Sequence, residues 1–167
     1  MRLYLLRHGI ASDAFNGPDA GRPLSKEGRA KLQQSLPAIT QLIDGVELIL
    51  SSPLVRAYET AELVAAALKP EQEVHLLPGL LPQTKIATLL ASLTKIQAQA
   101  GMLLVGHEPQ LNSLVAVLIG AQEMSLNFKK GALCCIECKH ELKPGTGVLQ
   151  WFSTSRQLRG LSLPEKM

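Results

Sequence analysis

Aromatic side chains are scarce in this sequence: one Trp, two Tyr and three Phe in 167 residues. So few rings leave no stacking platform for nucleic-acid bases. Charge of one sign is also lacking. Seventeen Lys and Arg against fourteen Asp and Glu give a net charge of +3, too little to argue for nucleic acid or an anionic membrane surface. No apolar run reaches the ~18 residues of a membrane span. The apolar start, Met1 to Leu6, stops at Arg7-His8 and is too short for a signal peptide. Only three cysteines occur, Cys134, Cys135 and Cys138, in one stretch. An odd, clustered set is not a secreted disulfide framework. Repeats and low-complexity linkers are absent. A cytoplasmic protein is the expectation, with residues 1–167 forming a single domain able to bury a core without staples. No heptads or long exposed apolar stripe argue for self-association, so a monomer is expected.

What is present is an alternation of short β-like runs and longer helical ones. Strands are expected at Arg2–Leu6, Val46–Leu50, Glu73–Leu77, Met102–Val105, Ala132–Cys138 and Val148–Phe152. Helices are expected at Ser25–Ile43, Leu54–Leu68, Thr84–Ala98 and Pro109–Ile119. Ser25 reads as an N-cap, and Pro37 predicts a kink or break in the first helix. The run Met102–Val105, apolar throughout and bounded by glycines, is the pattern of a central parallel strand. The alternation predicts an α/β fold: three layers, with a mostly parallel central sheet flanked by helices. The last two strands, lacking a helix between them, would pair antiparallel. The tail after Phe152 reads as loosely held.

In open α/β sheets ligands sit beyond the carboxyl ends of the strands. The first strand ends in Arg7-His8-Gly9. The second ends in Ser51-Ser52-Pro53, with Arg56 in the next helical turn. The fourth ends in Gly106-His107, before a helix N-terminus. Two arginines and two histidines would then meet at one sheet edge. Arginine forks and helical N–H groups neutralise phosphate oxygens. A neutral imidazole can attack phosphorus and hold it as a phosphoramidate. A second imidazole can donate to the equatorial oxygens. The glycine after His8 would let the backbone approach a ligand closely.

These residues resemble a known family. Leu6-Arg7-His8-Gly9 is similar to the Arg-His-Gly signature of the histidine phosphatase superfamily. Ser52-Pro53-Leu54-Val55-Arg56-Ala57-Tyr58-Glu59-Thr60-Ala61 resembles its second block, and Val105-Gly106-His107-Glu108-Pro109 its third. Asp19-Ala20-Gly21-Arg22-Pro23-Leu24-Ser25, with Gly28, resembles the block between the first strand and first helix. The blocks run in family order from residue 1 to about 120. The short stretches from Arg56 to His107 and beyond leave no room for the insertions that cap larger members such as phosphoglycerate mutases. The chain looks most like the SixA-type phosphohistidine phosphatases. That resemblance implies a phosphoglycerate mutase-like fold and an open site for a phosphorylated histidine on another protein. It implies His8 as the nucleophile that becomes phosphorylated. Arg7, Arg56 and His107 would hold the phosphoryl oxygens, with Arg22 as a further substrate contact. Phosphate or another oxyanion would fit the same pocket. No cofactor or metal is implied, and no closely spaced carboxylate–histidine motif suggests one.

Two departures matter. Ile10 follows the signature glycine where family members often carry a polar or acidic residue. Many members place a glutamate after the third strand as proton donor, but here the stretch is Leu77-Pro78-Gly79-Leu80-Leu81. Asp19 and Glu108 are the remaining candidate acids, with Asp19 favoured because Glu108 at a helix start is also a simple capping group. Asp19 and Arg22 could equally just pair across a loop. Cys135-x-x-Cys138 with His140 invites a zinc or redox reading, but strand alternation puts the two thiols on opposite faces and favours core packing. The readings left open are a small-molecule phosphatase for sugar phosphates or nucleotides, and a non-catalytic phosphoprotein-binding module.

Overall fold

The computed structural model describes residues 1–69, 73–96, 100–122, 125–139 and 141–161. The strands among them are β1 (Arg2–Arg7), β2 (Leu48–Ser51), β3 (Val74–Leu76), β4 (Gly101–Gly106), β5 (Leu133–Cys138) and β6 (Gly147–Ser153). The helices are α1 (Lys26–Leu42), α2 (Val55–Leu68), α3 (Ile86–Leu93), α4 (Gln110–Ile119) and α5 (Ser155–Leu161). The strands form one sheet in the order β3-β2-β4-β1-β5-β6. β3, β2, β4 and β1 run parallel. β5 is antiparallel to β1, and β6 to β5.

Strand alternation divides the core in two. Leu3 and Leu5 of β1 face one side with Leu89 and Leu93 of α3 and Leu111, Leu114 and Leu118 of α4. Tyr4 and Leu6 face the other, against Leu32 and Ile39 of α1, Ala57, Ala61 and Val64 of α2, and Leu158 of α5. The result is the expected three-layer α/β sandwich, with β1 and β4 covered on both faces. No helix among the described residues is long and apolar enough to cross a membrane.

Three expectations need correction. Pro37 neither ends nor splits α1, which runs without interruption from Lys26 to Leu42. The missing N–H costs the carbonyl one turn earlier its helical partner, while burial of Leu32, Ala38 and Ile39 holds the helix to the sheet. α3 ends at Leu93 rather than Ala98, and residues 97–99 lie outside the described set. The tail after Phe152 is not loose up to residue 161. It turns into α5, which packs on α1 and buries Leu158 completely. Residues 162–167 are outside the described residues.

Candidate active site

The sheet register sets the site. Arg7 at the end of β1 pairs with Gly106 at the end of β4, so the next residues, His8 and His107, emerge side by side. The His8 N–H donates to the Gly106 carbonyl at 3.1 Å, and the Ser52 N–H to the Val105 carbonyl at 3.0 Å. These bonds continue the ladder one step past the strands. The two imidazole centroids stand 4.8 Å apart, about the spacing of neighbouring strands. Both rings are buried, His8 5% and His107 3% exposed.

The ring nitrogens of His8 are distinguishable. Nδ1 lies 2.6 Å from the Gly9 carbonyl oxygen. A carbonyl only accepts, so Nδ1 carries the proton and Nε2 keeps its lone pair. Burial, then the charges of His107, Arg56 and Arg7, pull the His8 pKa from 6.5 to about 3 against the Gly9 hydrogen bond. Burial, then Arg56 and Arg7, bring His107 to about 4, with Asp19 opposing. Two neutral imidazoles therefore face each other in the resting site at neutral pH. His107 Nε2 is held 2.8 Å from the Ser52 hydroxyl, which is fully buried.

Arg56 projects from the first turn of α2 and is 6% exposed. Its Nη1 and Nη2 donate to the carbonyl and Oδ2 of Asp19, at 2.9 and 3.0 Å. Arg7 donates through Nη1 to the Phe128 carbonyl at 2.8 Å. The Nε–H groups of Arg7, Arg22 and Arg56 are buried without a hydrogen-bond partner. Buried, unmatched cationic donors are costly unless an anion completes them. Arg22 pairs with Asp19 at 3.1 Å and Asp13 at 3.4 Å. The structure thus brings Arg7, His8, Arg56 and His107 together and links Asp19 and Arg22 to them through Arg56.

The alternative acid is otherwise engaged. Glu108 accepts from the backbone N–H and side-chain amide of Asn112, and that amide also binds the Leu126 carbonyl. It caps α4 and ties down the loop before β5. Pro78–Leu80 form a 3₁₀ turn with Gly79 and Leu80 buried. Gln110 fixes that turn by donating to the carbonyls of Gly79, Leu81 and Thr84.

Gly9 serves packing rather than ligand approach. An added Cβ would stand 3.0 Å from Leu24 Cδ2 and 3.8 Å from Thr60 Oγ1, so the loop after His8 is pressed against the protein's own side chains. Its N–H donates to Thr60 Oγ1, which donates in turn to the Arg56 carbonyl. Ser52 and Thr60 lie in the block around Arg56, yet their roles are visible only in three dimensions. The thiols of Cys134 and Cys138 pack into one core face and that of Cys135 into the other. Burial pushes the Cys134 thiol well above its usual range and Cys135 to about 11. His140 lies outside the described residues. Among the described residues no group of His, Cys, Asp and Glu side chains is placed to hold a metal ion.

The chain is similar to several known proteins. The family model of the histidine phosphatase superfamily, branch 1, matches residues 3–81. An uncharacterised protein of Picosynechococcus sp. is 39% identical over 138 residues, covering 80% of this chain and 82% of its own. The phosphohistidine phosphatase SixA of Escherichia coli K12 is 27% identical over 154 residues, covering 90% and 92%. A structure of the protein histidine phosphatase SixA complexed with tungstate superposes with a TM-score of 0.80 at 25% identity, covering 95% of this chain and 99% of that one.

Proposed function

This chain belongs to the histidine phosphatase superfamily and its SixA-type branch, and we propose that it removes the phosphoryl group from a phosphorylated histidine of another protein. His8 Nε2 attacks phosphorus in line with the leaving imidazole. The P–N bond to the substrate breaks as the P–Nε2 bond forms, and the protonated substrate ring departs as neutral imidazole. Water then attacks phospho-His8, the P–Nε2 bond breaks, and inorganic phosphate leaves. The buried Nε–H groups of Arg7 and Arg56, together with His107, receive the phosphoryl oxygens. Arg22 adds a contact at the rim. In this reading the enzyme works as a cytoplasmic monomer and needs no metal, because the arginines supply the positive charge.

One observation carries the choice of substrate. The stretch after β3, where the family resemblance implies an acid, is Leu77-Pro78-Gly79-Leu80-Leu81 and carries no carboxylate. The remaining carboxylate, Asp19, is held ionised: desolvation raises its pKa, but Arg56, then Arg22, outweigh this and keep it below the usual range. An alkoxide leaving group needs a positioned proton donor, worth typically ~10²–10⁴ in rate. Imidazole, with an ordinary pKa of about 6.5, leaves once its ring is protonated.

The test is kcat/KM for phosphohistidine, for an aryl phosphate with an acidic phenol, and for a sugar phosphate. The expected order is the one just given. Equal efficiency on sugar phosphate and phosphohistidine would make the protein a small-molecule phosphatase. Binding without turnover on all three would make it a phosphoprotein-binding module.

A further inference from the structure

The modest net charge is not evenly spread. A cavity of about 540 Å³ opens beside the site, lined by Arg7, Lys31, Lys129, Lys130, Arg156 and Arg159 but by no Asp or Glu. These cations come from four segments: the end of β1, α1, the loop before β5, and α5. The antiparallel pairing of Leu133 with Ser153 brings the last two together. Gly131, at φ 76°, makes the tight turn there, its Cα facing Ser155 so closely that a Cβ would stand 3.2 Å away. Lys31 is partly offset by Glu27, and Arg159 donates to the Ser155 hydroxyl. Lys129, Lys130 and Arg156 are exposed, and none of the side-chain hydrogen bonds or ion pairs among the described residues engages them.

We propose that this groove docks an acidic segment of the phosphoprotein substrate. The partner's identity rests on the phosphohistidine reading above. Arg7 is the shared wall: it lines the groove and also carries the unpartnered Nε–H at the site. A chain whose phosphohistidine sits on His8 would therefore lay its neighbouring residues along the groove. The lining suits a protein more than other anions. Exposed, flexible lysines steer and orient an acidic surface through long-range charge. A tightly held small polyphosphate would need several buried donors, and here only Arg7 supplies one. No aromatic side chain lines the cavity to stack a base.

The test uses Lys129→Ala/Lys130→Ala/Arg156→Ala, three exposed positions outside the catalytic set, with circular dichroism confirming the fold. The probes are fluorescent peptides with a histidine flanked by four acidic residues or by four serines, and an RNA oligonucleotide of equal charge. At low ionic strength the wild type should bind the acidic peptide at least about tenfold more tightly than the serine peptide, and ~0.5 M salt should erase the preference. The triple variant should lose it. With phosphorylated peptides, the variant should lose about tenfold in kcat/KM on the acidic one, through KM, and nothing on free phosphohistidine. Equal wild-type binding of the two peptides, undiminished binding by the variant, or tighter binding of the RNA would overturn the proposal. The two readings fail separately. Groove-dependent peptide binding without any phosphohistidine turnover would remove the catalytic reading and keep the groove. Turnover of free phosphohistidine without acidic preference would do the reverse.

Discussion

Arg56 grips Asp19 with both ends of its fork, Nη1 on the main-chain carbonyl at 2.9 Å and Nη2 on Oδ2 at 3.0 Å. A carboxylate thus occupies donors that a phosphoryl group would otherwise take. Substrate must share or displace it, and the Asp19 pKa should rise as Arg56 turns to the phosphoryl oxygens. An acid role for Asp19 is compatible with its ionised resting state only through such a handover.

Asp19→Asn removes the competing charge and keeps a hydrogen-bond acceptor. Vanadate inhibition should tighten by about tenfold, ~1.4 kcal/mol. If Asp19 becomes the acid through that handover, turnover of esters should also slow more than turnover of phosphohistidine. Inhibition constants and paired kcat/KM values check both, and unchanged vanadate affinity would contradict the competition.

Acid titration tests the two histidines. Their pKa values fall from 6.5 to about 3 and 4, so between those values and 6.5 the unfolded chain binds more protons than the folded one. Stability should therefore decline as pH drops below about 6.5. Urea denaturation of His8→Ala should show a shallower decline. In NMR titrations the His8 and His107 ring signals should stay unshifted from pH 8 to about 5, and a midpoint near 6.5 would contradict the neutral pair.

Ser52 Oγ is the hydrogen-bond partner of His107 Nε2. Ser52→Ala leaves that nitrogen buried without a partner and frees the ring to turn. A fall in kcat of about tenfold is expected on every substrate, with a smaller change in KM. Steady-state kinetics decide, and an unchanged kcat would remove Ser52 as a positioning residue.

Gly28 lets α1 lie against the loop after His8. A Cβ there would stand 2.1 Å from the Ile10 carbonyl oxygen and 2.9 Å from its N and C atoms. Backbone must move, so Gly28→Ala should cost about 2 kcal/mol or more in stability and about 10² in activity. Gly160→Ala, with nothing within 4 Å, should be neutral or slightly stabilising in α5. Thermal melts of the pair make the comparison.

Much of the site was legible because its signals are local. The apolar runs of β1 and β4 fix where His8 and His107 emerge, and Ser52-Pro53 fixes the start of α2 and so Arg56. Ser25 caps α1 as its sequence suggests, accepting from the Gly28 N–H at 2.9 Å. What escaped depends on long-range packing. α5 has seven residues, too few for a helical period to stand out, and owes its place to Leu158 in the core. Pro37 is a strong local breaker that core burial on either side overrides. The cationic groove joins segments separated by about a hundred residues, so no window along the chain contains it.

The central claim, that His8 is the nucleophile, is tested most directly by trapping. Brief reaction with a labelled phosphoryl donor, quenching and peptide mapping should place an acid-labile, base-stable label on His8, and none on the His8→Ala protein. Near-normal turnover by His8→Ala, or a label on any other residue, would contradict the account.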